Sequence, residues 1–370
     1  MIQLADARIS EAGVEAVSRV LRSGQLLASS ECAAFEEELA EYIGCSDVVA
    51  VSSGTAALHL ALMALDVGPG CAVSVPDFTF PATANAVAAT GARPVIVDVD
   101  PDTYTMSPEH FRKLVDSWEG PERLAAVIPV HEFGLCVAPE IVEIAEARQL
   151  AVIEDAACAL GSEVEGRRAG RLGDMGCFSF HPRKSITTGE GGAISTDDAE
   201  LAARLRRLRN HGMERVQGHL NFMEIGLNYR LTDFQAALGR VNLSDLDSVL
   251  RQRRLVASTY GALLQPLVGR GIQRLPSSSP GHTWQTYMVV LDDDVDRSSV
   301  IDALRHAGVE SNVGAQSLSG TGLYGTTVGD TVGAALASGG LALPCHQGVS
   351  VDDVHKVAKA LNAALMRAGA

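Results

Sequence analysis

Seven short apolar runs punctuate the first two-thirds of the chain, and most are continuous rather than alternating. They are 48–53 (VVAVSS), 72–76 (AVSVP), 94–99 (PVIVDV), 125–130 (AAVIPV), 151–155 (AVIED), 176–180 (GCFSF) and 192–196 (GAIST). A strand that is apolar at every position has both faces covered, as in a parallel sheet packed between helices. Helical stretches lie between several of the runs. Residues 55–66 (TAALHLALMALD) carry apolar side chains all round and predict a buried helix, whereas 138–149 (APEIVEIAEARQ) read as an amphipathic one. Strands alternating with helices predict an α/β fold whose mainly parallel sheet is covered on both sides. The GEGG stretch at 189–192 reads as a hairpin turn between the last two runs, which makes one strand pair antiparallel.

After about residue 235 the texture changes. Residues 236–264 read as one long helix with a basic patch, Arg251, Gln252, Arg253 and Arg254. A strand at 286–291, a helix at 298–307 and a final helix at 351–368 follow, which predicts a smaller α/β domain. The expected division is a large domain, 1–240, and a small C-terminal one, 241–370. The amphipathic segment 10–22 has no strand beside it and is expected to pack on the small domain. A length of 370 residues suits two domains with a large core.

The formal net charge of −15 excludes a general nucleic-acid binder, which needs a basic face, but leaves room for a local anion site. The seven cysteines (32, 45, 71, 136, 158, 177 and 345) are scattered and never spaced C-x-x-C. They predict neither a zinc site nor a disulfide framework, and point to a reducing compartment. The N-terminal residues lack a basic stretch followed by an apolar one, and no apolar run approaches the ~18 residues that span a bilayer. A cytoplasmic protein without membrane or nucleic-acid partners is expected.

In open α/β sheets, ligands bind outside the carboxyl ends of the strands, so the side chains at those ends carry the chemistry. The first run leads through Ser52, Ser53, Gly54, Thr55 and Ala56 straight into a helix. This reads either as an ordinary N-cap or as a phosphate site made of free N–H groups and the helix dipole. After the second run comes Phe80, either a core residue or an aromatic lying flat on a ring. The fifth run ends Glu154-Asp155. Adjacent acids on a buried strand are costly unless a partner takes the charge. Asp155 either caps the next helix or meets a cation, for which a protonated pyridine nitrogen is suitable. After the sixth run come Ser179, His181, Arg183 and Lys184. Alone, Lys184 is a solvated side chain; in a polar pocket it is a Schiff-base nucleophile. Phosphate donors, an aromatic, a buried acid and a lysine in order on successive strand ends are the parts needed to hold pyridoxal phosphate.

The chain resembles the DegT/DnrJ/EryC1/StrS family of sugar aminotransferases, within the fold type I pyridoxal-phosphate enzymes. The segments that carry the resemblance span nearly its whole length. They are VSSGTAALHLAL (51–62), TANAVAATGARPVIVDVDPDTY (83–104), VIPVHEFG (127–134), VIEDAACALGS (152–162), GCFSFHPRKSITTGEGG (176–192), LRNHGM (208–213) and GLNYRLTDFQAALG (226–239). The resemblance implies that Lys184 is the Schiff-base lysine and proton shuttle, and that Asp155 partners the pyridine nitrogen. It also implies that Gly54, Thr55, Ala56 and Ser179 contact the phosphate and that Phe80 stacks on the ring. Asn228 and Arg230 lie in a segment that, in the family, reaches the partner subunit's cofactor phosphate, which implies a homodimer with shared active sites. The family usually has Gln or His where this chain has Cys158, beside the cofactor's 3-hydroxyl, and a thiol is the weaker donor.

The expected activity is a ping-pong transamination from an amino-acid donor, L-glutamate, to a keto-sugar linked to a nucleotide diphosphate, the cofactor passing through pyridoxamine 5'-phosphate. His181 and Arg183 are candidate substrate contacts, and Arg183, Arg230 and the 251–254 patch are candidate partners for nucleotide anions. For the patch, a solvated helix face is the competing reading. Loops 214–224 and 312–327 are expected to choose the sugar. His211 reads as structural, and His131-Glu132 lacks a third ligand for a metal. Three alternatives stand beside this reading. One is a keto-cyclitol aminotransferase or a PLP-dependent dehydratase; relatives of the latter kind replace the lysine with His, whereas this chain keeps Lys184. Another is a non-catalytic PLP-binding regulator, which would need a helix-turn-helix or basic tail. The last, a dinucleotide binder, needs G-x-G-x-x-G after the first strand, which Ser53-Gly54-Thr55 does not supply.

Overall fold

All seven apolar runs become strands of one sheet in a computed structural model of the chain, which describes residues 1–325 and 330–368. Residues 326 and 327 of the 312–327 loop, and the last two residues of the 241–370 unit, lie outside the described residues. The strand order is Asp47–Val51, Gly192–Thr196, Met175–Ser179, Ala151–Asp155, Arg123–Val127, Cys71–Pro76, Arg93–Val97. Gly192–Thr196 runs antiparallel to both its neighbours, and the remaining pairs are parallel.

Why the runs are continuous follows from side-chain alternation. Val48, Ala50, Val152, Phe178 and Ala193 enter one core, with helix residues Phe35, Phe111 and Ile141. Val49, Val51, Ile153, Cys177 and Ile194 enter the other, with Leu58, Leu60, Val87 and Leu205. Helix Gly54–Ala64 buries Ala57, Leu58, Leu60, Ala61 and Leu62, as its apolar circumference predicts.

Three expectations are corrected. The long helix at 236–264 is two helices, Asp233–Ser244 and Leu246–Leu264, because Asp245 interrupts the 3.6-residue ladder. Its N–H bonds back three residues to the Asn242 carbonyl (3.3 Å), while its own carbonyl starts the second helix by accepting from Val249. The helix at 10–22, observed as Glu11–Ser23, packs on helix Asp233–Ser244 rather than on the later elements. Residues 2–4 reach those instead, with the Ile2 N–H on the Gly308 carbonyl (2.8 Å) and the Leu4 N–H on the Glu310 carboxylate (2.9 Å). Finally, GEGG is not a tight turn between the last two strands. These strands pair antiparallel, but an excursion from 180 to 191 separates them.

The later part contains an antiparallel sheet of Ile272–Arg274, Tyr287–Leu291 and Gly340–Leu343. Helices Leu246–Leu264, Arg297–His306 and Val351–Ala368 share a core with it, built on Tyr260, Tyr287, Val289, Leu304 and Leu361. The strand at 286–291 and the helices at 298–307 and 351–368 match the sequence pattern, whereas the short strands Ile272–Arg274 and Gly340–Leu343 carry too little pattern to be read. No helix among the described residues is long and apolar enough to cross a membrane.

Register brings the strand ends together. Val51 pairs with Gly192, Gly192 pairs with Ser179, and Asp155 pairs with Cys177, two residues before Ser179. A Cβ on Gly192 would lie 2.5 Å from the Ser53 carbonyl oxygen, so a side chain there would push the two strand ends apart.

Candidate active site

The two adjacent acids have separate fates, because neighbouring residues on a strand face opposite sides. Glu154 is fully buried and satisfied. It accepts from His131 Nε2 (2.7 Å) and from the backbone N–H groups of Gly170 (2.7 Å), Leu172 (2.7 Å) and Gly173 (2.9 Å). His131 Nδ1 in turn accepts from the Val137 N–H (3.1 Å), so both ring nitrogens are engaged within the fold. Among the described residues no group of three His, Cys, Asp or Glu side chains is disposed to hold a metal.

Asp155 is buried, and among the described residues its hydrogen-bond partners are neutral: the Thr83 hydroxyl on Oδ2 (2.8 Å) and the Ala157 N–H on Oδ1 (3.2 Å). Burial pushes its carboxyl pKa up, against these hydrogen bonds and the Lys184 charge. Turns rather than a helix follow Asp155, so the expected helix cap does not form; the Ala157 contact closes a local turn on one oxygen and leaves the charge uncompensated.

Lys184 is half-buried on the 180–191 excursion, and its Nζ donates to Cys158 Sγ at 3.0 Å. Its backbone N–H donates to the His181 carbonyl (2.9 Å), which fixes the turn. Burial raises the Cys158 thiol pKa and the lysine opposes that shift.

At the start of helix Gly54–Ala64, Ser53 Oγ accepts from the Ala56 N–H (3.1 Å), so the N-cap reading holds for Ser53. The N–H groups of Gly54 and Thr55 make no hydrogen bond among the described residues. A Cβ on Gly54 would stand 2.9 Å from Ser179 Cβ, so the bare backbone is what lets the helix tip sit against the Ser179 side chain. Ala56 is buried, its N–H taken by the cap.

Phe80 is 69% exposed and is not a core residue. Its carbonyl accepts from the N–H of Thr83 (3.3 Å), the residue whose hydroxyl holds Asp155. Arg230 lies in a bridge with Val51, its Nη1 on Asn210 Oδ1 (2.6 Å). Asn228 bridges Asn210, and the Tyr229 carbonyl accepts from the Ser52 N–H (2.9 Å), so this segment borders the same strand end. His181 Nδ1 accepts from the N–H of the exposed Arg183 (3.3 Å), whose carbonyl accepts from Gln285 Nε2 (3.1 Å). His211 is in a left-handed turn (φ 60°), with its N–H on the Leu227 carbonyl (2.9 Å), a structural place.

The 251–254 patch divides. Arg251 and Arg254 are exposed, as on a solvated face, but Arg253 is 2% exposed. Its burial was legible: Leu246, Leu250, Arg253, Ala257, Tyr260 and Leu264 form a single buried stripe at helical spacing. The sequence reading also passed over Thr83, and it weighed Glu132 only as a metal ligand. Glu132 is buried in the turn after the fourth strand, its carboxyl pushed up to about 8 by burial and by Asp155, against the Lys184 charge.

Known proteins give matching results. The family model described as DegT/DnrJ/EryC1/StrS aminotransferase family matches residues 7–362. GDP-perosamine synthase of Caulobacter vibrioides is 38% identical over 337 residues, 90% of this chain and 89% of that protein. The aminotransferase TlmJ from Streptoalloteichus hindustanus has a TM-score of 0.92 at 34% identity, covering 99% of both chains. The PLP-form of Spr1654 from Streptococcus pneumoniae has a TM-score of 0.90 at 25% identity, covering 99% of this chain and 98% of that one.

Proposed function

This chain belongs to the DegT/DnrJ/EryC1/StrS aminotransferase family, and from that premise we propose that it transfers an amino group from L-glutamate to the ketone of a nucleotide-diphosphate-linked sugar. It is a PLP-dependent aminotransferase of fold type I. The nucleotide-sugar assignment is supported by GDP-perosamine synthase, with 38% identity across 90% of this chain.

The observation that carries the reading is one juxtaposition. Among the described residues, a buried carboxylate without a cation, an amine whose hydrogen-bond partner is a thiol, and unpaired helix-tip N–H groups beside a serine share one end of the sheet. These residues fit pyridoxal phosphate. Asp155 would take its protonated ring nitrogen, Lys184 would hold its aldehyde carbon, and Gly54, Thr55 and Ser179 would hold its phosphate. When bound, the cofactor supplies an electrophilic carbon and a ring that accepts the electrons of a broken C–H bond.

The rest is work for the chain itself. Asp155, ionised against a positive partner, keeps the ring nitrogen protonated. The released Lys184 amine removes the proton from the donor's α-carbon, general base work at one atom. Helix-tip N–H groups stabilise the phosphate dianion through hydrogen bonds and the helix dipole. The exposed Phe80 ring would be available to cover the cofactor face, and Cys158, beside Lys184, would offer the 3-hydroxyl a weak donor. The exchange runs in two halves, the keto acid leaving before the sugar ketone enters. His181 and Arg183, within three residues of Lys184 in sequence, serve the substrate side.

The proposed assembly is a homodimer in which Asn228 and Arg230 reach the second copy's phosphate site. The proposed division of the chain falls at Asp245 rather than inside helix Asp233–Ser244, with a large cofactor-binding unit before it and a smaller one after. The test is to load the purified protein with pyridoxal phosphate, discharge its yellow colour with glutamate, and screen keto-sugar nucleotides for its return. Failure of every keto-sugar nucleotide, with colour restored by a keto-cyclitol, would replace the substrate class.

A further inference from the structure

Arg253 is a buried charge without a counter-charge. Among the described residues no carboxylate pairs with it, and its side-chain hydrogen bonds all leave from Nη1, to the carbonyls of Trp284 (3.0 Å) and Gln285 (2.9 Å). Its Nε is buried and has no hydrogen-bond acceptor among the described residues. The two carbonyls fix the guanidinium plane by one corner. The opposite edge, Nε with Nη2, is left over, and that edge matches the two oxygens of a carboxylate. A guanidinium held away from water without an anion is costly, and burial pulls its pKa down accordingly.

This arginine lines a narrow polar recess together with Lys184, Arg183, Gln285, Thr286 and His346. The recess has room of about 30 Å³, enough for a small polar group and too little for a sugar ring or a nucleotide. Asp6 also lines it, but is engaged by Arg8 Nε at 2.6 Å. The recess therefore offers a small anion three cations, one of them the amine that works on the donor's α-carbon.

We infer that Arg253 is the seat of the amino-acid donor's carboxylate. This rests on the aminotransferase reading above and adds to it which group of which substrate the second part of the chain receives. The donor's α-carbon must come within reach of the Lys184 amine, and the carboxylate bonded to that carbon needs a buried cation in the same recess. The fork edge holds the carboxylate in one plane, which orients the α-C–H bond for the lysine. The bulkier ketone substrate has its nucleotide outside this recess and places no such demand on Arg253.

The test uses the pyridoxal-phosphate holoenzyme and its Arg253→Lys and Arg253→Met variants. Lys keeps the charge and most of the packing but loses the fork; Met removes the charge. Loss of the yellow band is followed against glutamate concentration. Separately, the absorbance change caused by glutarate, which has carboxylates but no amine, is titrated without turnover. In both variants half-saturation by glutamate rises by roughly 10- to 100-fold. The glutarate response is lost in Arg253→Met, and the return of colour with the keto-sugar nucleotide keeps its concentration dependence. Unchanged glutamate and glutarate dependence in Arg253→Lys overturns the inference, and so does equal weakening of both halves, which marks a structural role. If the weakening appears only with a carboxylated keto-sugar, the anion comes from the other substrate and the inference is likewise overturned. A wild-type holoenzyme that no α-amino acid discharges overturns the functional reading itself, a result distinct from the others.

Discussion

Lys184 Nζ donates to Cys158 Sγ across 3.0 Å, so the amine of the candidate site rests on one of the weakest acceptors a side chain offers. The amine is thereby kept in place without being committed. Burial raises the thiol's pKa, so Cys158 is expected to stay protonated at neutral pH and to react slowly. Alkylation of the cofactor-free protein, followed by mass spectrometry on the peptide containing Cys158, should be slow at pH 7 and accelerate above pH 9. Rapid labelling at pH 7 would contradict the described environment.

Asp155→Asn keeps shape and one acceptor but removes the charge. The expected result is a fall in kcat of at least about 100-fold, with little loss of folding stability, since the carboxylate it replaces is buried without a cation. Steady-state kinetics and thermal melts of the same preparation check both halves. A variant that turns over like the wild type would remove Asp155 from the site.

Glu154→Gln should behave in the opposite way. This carboxylate takes three backbone N–H groups and a histidine in full burial, and an amide presents donors where acceptors are needed. A loss of about 2–4 kcal/mol is expected. Urea unfolding of cofactor-free protein measures it, and an unchanged midpoint would show that the network contributes nothing.

Glu132 is expected to make the stability of the folded chain depend on pH. Its folded carboxyl titrates at about 8 against an ordinary 4.5, with Asp155 and Lys184 nearby. Between those values the folded chain holds a proton that the unfolded chain has lost, so this contribution to stability is complete below about pH 4.5 and disappears as pH rises to about 8. Melting of the cofactor-free protein should fall across that window, and Glu132→Gln should flatten the slope, raising Tm at pH 8 by at least about 2 °C. Parallel profiles for the two proteins would exclude the effect.

Gly54→Ala tests the phosphate end. Its Cβ would stand 2.9 Å from Ser179 Cβ and force the helix tip away from the serine. The dissociation constant of pyridoxal phosphate should rise by about tenfold or more, one lost charge-assisted contact, measured by quenching of intrinsic fluorescence. Unchanged affinity would place the phosphate elsewhere.

How far the sequence could be read depended on whether one residue's own neighbours in the chain decide its environment. The strands were legible because Val48–Val51 or Val152–Ile153 are apolar on both faces, and only a doubly covered sheet accepts that. Asp155 and Lys184 stand out in the sequence as candidates because polar groups at strand ends need a reason. The break at Asp245 was not, since apolar spacing continues through it and one aspartate decides the outcome. The division of labour between Glu154 and Asp155 depends on donors from Gly170, Leu172 and Gly173, which only tertiary folding brings near. The solvated-face reading fails for Arg253 alone, because its place on the stripe from Leu246 to Leu264 fixes its burial regardless of charge.

The excursion that carries Lys184 leaves the sheet after Ser179 and rejoins it at Gly192, and those two residues are direct partners in the ladder. Both ends are therefore anchored at one point. Residues can be added to or removed from this segment without shifting the register of any strand. A lineage built on this scaffold is free to alter the reach and approach of its amine while Asp155 and the helix tip stay where they are.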